Sequence, residues 1–249
     1  MGAFVITLRE GFEAALVVGL ILAFLYKTGH GDRAKAVWAG VIAAVSLSII
    51  GGAALFLSGS RLEGDSGLLF EGLAMLLAAS VVTWMVFWMR RQAATIGSDL
   101  REHVSLSLEN GSDYALAAIA FVGVGREGLE TALFLFASVE SSGAVLAVLS
   151  GLIGLLVALL LGVLFYRGAL KMDLRKFFTY TSVLVIGFAA YLVYGAVHEF
   201  GELFESEFLE FFAPIAAAAY GICFASLYLR DYLQLRRRRA LKRASAPQG

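Results

Sequence analysis

Two short strings hold the side chains best suited to chemistry: Arg9-Glu10-Gly11-Phe12-Glu13 and Arg126-Glu127-Gly128-Leu129-Glu130, identical at four of five positions. On a helix, residues three and four apart share a face. Glu10 and Glu13 can therefore converge on one ligand while Arg9 reaches Glu13, and Glu127, Glu130 and Arg126 repeat the arrangement. Two arginines against four glutamates leave two negative charges unbalanced, which is expensive in a low dielectric unless a cation is present. Interhelical salt-bridge clamps without a ligand are the structural alternative, and that charge excess weighs against it. Carboxylate oxygens are hard ligands that suit Mg²⁺, Ca²⁺, Mn²⁺ or iron and disfavour Cu(I). Nothing in the spacing alone selects iron.

The elements that must position these residues are helices in a membrane. The chain has 249 residues, is 59% hydrophobic and 16% charged, and has a mean hydropathy of +0.80. Soluble domains carry about a quarter charged residues. Seven apolar runs of spanning length fall at about 3-26, 36-58, 67-89, 114-138, 143-165, 177-198 and 212-229. No alternating ten-residue strands recur, so the spans are expected to be helices and not a β-barrel, giving an all-α polytopic membrane protein. The first span lacks a basic n-region and contains Arg9, Glu10 and Glu13, so it reads as a retained helix and not a signal peptide. Each pentad then lies inside the bilayer, where a charge costs about 2.5–3.5 kcal/mol even on the lenient scale, so six unpaired charges are not expected by accident. Gly11 and Gly128 leave room beside the carboxylates for close helix packing or for an ion near the backbone.

Orientation follows from the basic residues. Lys27, Arg33 and Lys35, then Arg90, Arg91 and Arg101, then Arg167, Lys171, Arg175 and Lys176, then Arg230, Arg236 to Arg239, Lys242 and Arg243 fall on one side, seventeen in all, against Arg61 on the other. The positive-inside rule places the N-terminus outside and the C-terminus in the cytoplasm. The pentads stand in spans 1 and 4, an offset of three, so spans 1–3 and 4–6 form an inverted-topology pair with a site where the repeats meet. The expected organisation is one membrane domain over 1-249: repeat one about 1-89, repeat two about 114-198, a seventh helix about 212-229 and a basic cytoplasmic tail at 230-249. The connection from Gln92 to Asp113 is expected to lie as a short amphipathic helix on the cytoplasmic face.

Other features rank lower. Glu71, about five residues into the third span, is a further ligand, a proton carrier or an interfacial residue. His198 and Glu199 end the sixth span, and Glu202, Glu205, Glu207 and Glu210 follow without a basic residue, as a solvated outer loop or a patch that concentrates cations. His198-Glu199-Phe200-Gly201-Glu202 lacks the second histidine of a metalloprotease helix. Met85 and Met89, with Trp84 and Trp88, read as packing and aromatic-belt residues. The single Cys223 excludes an intrachain disulfide and a dithiol site. The net charge of zero gives no case for nucleic acid, and the Arg236–Arg239 run reads as a topology anchor.

At the two pentads the sequence resembles the oxidase-dependent iron permease family, which includes the fungal high-affinity iron permease and the bacterial iron permease of acid-induced uptake systems. The family hallmark is Arg-Glu-x-x-Glu in the first and fourth helices, and both copies stand at 9-13 and 126-130. The likeness extends over the seven spans, Phe70-Glu71-Gly72 leading to Thr83-Trp84-Met85-Val86-Phe87-Trp88-Met89, and the His198-Glu199 pair. The resemblance implies import of iron, Fe²⁺ or Fe³⁺, across the plasma membrane as a transported substrate, with no permanently bound cofactor. It implies Glu10, Glu13, Glu127 and Glu130 as iron ligands, with Arg9 and Arg126 orienting them. It further implies a separate ferroxidase or periplasmic iron-binding protein that delivers the ion. The short, acidic connection between spans 6 and 7 carries no counterpart of the fungal family's motif for that loop. Whether the pore lies within one protomer or at a homo-oligomer axis stays open. The rival readings are a proton-coupled transporter of another divalent cation or small solute, and a membrane receptor or scaffold.

Overall fold

A computed structural model describes residues 2–59, 64–92, 96–109, 111–168 and 174–244. Among these the chain is all-α: α1 Gly2–Lys27, α2 Ala34–Gly59, α3 Asp65–Gln92, α4 Ile96–Glu109, α5 Asp113–Ser142, α6 Ala144–Tyr166, α7 Leu174–Leu203 and α8 Glu207–Ala244, with a 3-10 turn at Gly31–Arg33. Among the described residues, five stretches are long and apolar enough to cross a membrane by length and composition: Gly31–Ser58, Asp65–Trp88, Ala144–Tyr166, Phe177–Leu203 and Glu207–Arg230. The other two long helices, α1 and α5, are those that carry the charged pentads. Arg61 and Lys171, used above for orientation, lie outside the described residues, as do the side chains of Met89, Arg90, Arg91, Arg175, Lys176 and the basic residues from Arg236 onward.

The apolar surface faces two ways. Buried Met75, Val82, Phe134, Val185 and Leu192 build one core with Ile6, and a smaller core joins Ile21, Leu25, Val37, Val104, Leu116 and Ala120. Large apolar side chains on α2, α6 and α8, among them Ile49, Ile50, Leu156 and Ile222, are exposed, the pattern expected of helices solvated by lipid.

Small residues bring the backbones together. α1 packs on α6 and α2 on α5. A Cβ at Gly11 would sit 2.9 Å from Ala158 Cβ, one at Gly154 would meet Thr7 and the Phe4 carbonyl, and one at Gly162 would meet Ala15. The rising numbers on both helices make α1 and α6 parallel. On the second pair, Gly40 abuts the Ala117 carbonyl, Gly128 abuts Ser48, and Gly52 faces Ala132, so α2 and α5 are also parallel. α1 and α5 run antiparallel, since Ile6 shares a core with Phe134, Gly123 abuts Val17, and Leu25 shares a core with Leu116. The same holds for α3 and α7, where Gly72 abuts Phe200 and Gly195 abuts Met75.

Two boundaries differ from the sequence expectation. The acidic stretch after His198 is mostly helical: α7 continues to Leu203 and α8 starts at Glu207, leaving a three-residue turn in which Glu205 takes φ 47. The stretch from Arg230 to Ala244 continues α8 instead of forming a separate tail. The expected amphipathic helix is present as α4, whose Val104 and Ser107 are buried and which packs on α5 and α1.

A candidate cation site of buried glutamates

Local sequence sets the site's geometry. In α1 the Arg9 Nε donates to Glu13 Oε1 at 3.0 Å, and in α5 the Arg126 Nε donates to Glu130 Oε1 at 2.9 Å, each an i,i+4 pair across one helical turn. Arg126 Nε also lies 3.6 Å from Glu127 Oε1. Because α1 and α5 are antiparallel, the pentads meet midway along both. One carboxylate oxygen each from Glu10, Glu127 and Glu130 falls within 4.8 Å of the others, the one such group of three potential ligands among the described residues. All three carboxylates are buried.

The site holds more acceptor capacity than donors. Both oxygens of Glu10 and the Oε2 atoms of Glu127 and Glu130 are buried without a hydrogen-bond partner among the described residues. Buried oxygens in that state are costly unless something positive reaches them. Glu13, engaged with Arg9, stands within electrostatic reach of Glu127, Glu130 and Arg126, so all six charged pentad residues form one cluster. Oxygens this close together are within reach of one shared hard divalent cation.

Apolar side chains flank the cluster along α1. Toward the start of α1, Ile6 and Phe134 belong to the larger core, and toward its end Ile21, Leu25 and Leu116 belong to the smaller one. Phe12, fully buried inside the first pentad, contacts Phe165, Phe177 and Phe178 edge-on or tilted. The pentad glycines serve close helix packing: Gly11 seats against α6 and Gly128 against α2.

The remaining sequence candidates gather elsewhere. Glu71 on α3 and Glu199 on α7 influence one another across the α3–α7 contact. His198 Nε2 stands 3.5 Å from Glu202 Oε1 and stacks on Tyr194. None of these supplies an oxygen or nitrogen to the Glu10–Glu127–Glu130 group. Met85 is fully buried in packing, as expected. Trp88, read from the sequence as a packing and aromatic-belt residue, also places its ring centroid 4.1 Å from Arg126 Cζ, a contact that the sequence did not signal.

A helical protein that buries a carboxylate-rich cluster among lipid-facing apolar helices belongs to the class of membrane proteins that handle ions. The model of the iron permease FTR1 family matches residues 1–217, and the chain belongs to that family. It is 36% identical to the ferrous iron permease EfeU of Yersinia pestis over 201 residues, covering 80% of this chain and 71% of that protein. It is also 36% identical to the ferrous iron permease EfeU of Escherichia coli O6:K15:H31 over 203 residues, covering 80% and 73%. No solved structure matches.

Proposed function

We propose that this chain imports iron, as Fe²⁺, through a transit site formed by Glu10, Glu127 and Glu130, with Glu13 in reserve and Arg9 and Arg126 orienting the carboxylates. Membership of the iron permease family makes the chain a transporter and not an enzyme, with iron as its substrate. The observation that carries the site is the convergence of three buried carboxylates, with four oxygens lacking any partner among the described residues, where the two pentads meet. Arg9 and Arg126 neutralise two of the four charges, and a divalent ion would neutralise the other two.

In this reading α1–α3 and α5–α7 are an inverted repeat with α8 added, the N-terminus lies outside and the C-terminus in the cytoplasm, and the membrane is the plasma membrane. Support comes from the helix pairing. Exchanging α1 with α5, α2 with α6 and α3 with α7 maps the parallel α1–α6 pair onto the parallel α5–α2 pair and leaves the antiparallel α1–α5 and α3–α7 pairs unchanged. Seven membrane crossings give each of these pairs the direction seen. The acidic residues where α7 meets α8 would receive the ion from solvent or from a separate iron-delivering protein.

Uptake of radioactive iron by cells making Glu127→Gln at normal membrane abundance tests the assignment. Strong loss is expected. Undiminished uptake contradicts the site, and competition by small organic solutes instead of metals would favour the proton-coupled solute carrier.

A further inference from the structure

The two pentads are nearly identical in sequence but differ in their surroundings. The Arg9 side chain is fully buried, whereas that of Arg126 keeps 28% of its surface exposed. A long cationic side chain with open space beside it would sample several rotamers. Arg126 instead lies over the face of Trp88, 4.1 Å from Cζ to the ring centroid, and Trp88 is itself stacked on Trp84 with centroids 5.9 Å apart and planes 26° apart. Arg126 Nη2 is buried without a hydrogen-bond partner among the described residues, so the aromatic face supplies contact that hydrogen bonds do not.

We propose that Trp88 is a positioning residue of the transit site. Its ring holds the Arg126 guanidinium against Oε1 of Glu130 and Glu127, which leaves their partnerless Oε2 atoms as the open ligands beside Glu10. Trp88 acts through Arg126 and does not touch the ion. In the first pentad Arg9 is fully buried and bonded to Glu13. The inference rests on the proposed iron site and deepens it.

The test is iron uptake kinetics in cells, with Trp88→Leu, Trp88→Phe and Glu127→Gln compared at measured membrane abundance. Trp88→Leu removes the π face and is expected to raise KM about five-fold, the size of a partly exposed cation–π contact, with a smaller change in maximal rate. Trp88→Phe keeps a ring face and is expected to restore most of the affinity. In an Arg126→Gln background Trp88→Leu is expected to add nothing. An unchanged KM in Trp88→Leu, equal damage from Leu and Phe, or full additivity with Arg126→Gln overturns the proposal. Loss of uptake in Glu127→Gln beside normal Trp88→Leu kinetics sinks the Trp88 inference alone, whereas normal uptake in Glu127→Gln sinks the site. Should Trp88→Leu fail to accumulate, full-length protein carrying Trp38→Phe and Trp84→Phe reports on Trp88 by its fluorescence. Arg126→Gln is then expected to shift that emission, and an unmoved spectrum overturns the contact.

Discussion

Gly128→Ala is the sharpest probe of how packing holds the site. The added methyl would lie 2.8 Å from Ser48 Cβ and nearer still to Ser48 Oγ, which cannot swing freely because it donates to the Ala44 carbonyl at 2.9 Å. Carbon atoms rest at about 3.5–4.0 Å, so α2 and α5 must part by about 1 Å at the residue lying between Glu127 and Glu130. Overpacking of this kind costs about 1–3 kcal/mol, which for a chain of this size is a fall in Tm of about 2–12 °C. The displacement falls between two of the three converging carboxylates and disturbs their register with Glu10, so iron uptake should fall with stability. Ser48→Gly in the same chain removes both obstructing atoms and should restore both properties. Gly51→Ala, whose methyl would meet Leu129 Cδ2 at an ordinary 3.5 Å, should be tolerated. Thermal melting in detergent together with radioactive iron uptake reads all three variants. A Gly128→Ala protein as stable and active as the parent, or a double variant that gains nothing, would refute the reasoning.

Other expectations follow from the same structure. Arg9→Gln leaves the buried Glu13 carboxylate without its 3.0 Å partner, a loss of about 3–5 kcal/mol, whereas Arg126 is partly exposed and its removal should cost less; membrane abundance of the two variants should rank accordingly, and the reverse order would contradict the burial argument. An all-carboxylate site should let excess Mn²⁺ compete with iron uptake while Cu(I) does not, so strong Cu(I) competition would argue against these ligands. Glu205 occupies a left-handed backbone conformation at φ 47, so Glu205→Gly should stabilise the chain by about 1 kcal/mol, visible as a small rise in Tm, and a fall would contradict that account.

Much of the architecture is legible from hydropathy, because lipid forces every spanning segment into a helix and rewards apolar side chains on all its faces. The described residues are all-α, five stretches among them are long and apolar enough to span, and α4 is where the amphipathic segment was expected. The ends were less legible. Apolar runs stop at His198 and resume near Phe212, but hydrogen bonding continues past the change in polarity, so α7 reaches Leu203 and α8 begins at Glu207. The pentads stood out because charges in apolar helices are costly to keep, and the fold brings the two together. Spacing alone, however, treats Glu13 as equal to Glu10, whereas the fold commits Glu13 to Arg9 and turns Glu10 toward α5. The role of Trp88 was hidden for a different reason. Its sequence neighbourhood is an aromatic belt, and only the packing of α3 on α5 brings the ring under Arg126. The glycine seams could be seen as small residues at helical spacing, but their partners could not.

The central claim is that iron passes through the meeting point of the two pentads. Purified full-length protein in liposomes, given Fe²⁺ outside and a trapped iron-sensitive dye, tests this with the parent chain beside Glu10→Gln. Glu10 is the carboxylate with both oxygens buried and partnerless among the described residues, and its replacement keeps size while removing charge. Dye response in the parent and its strong loss in Glu10→Gln, which removes a charged hard-oxygen ligand from the group, is the predicted result. Equal iron entry through the parent and Glu10→Gln proteins would contradict it.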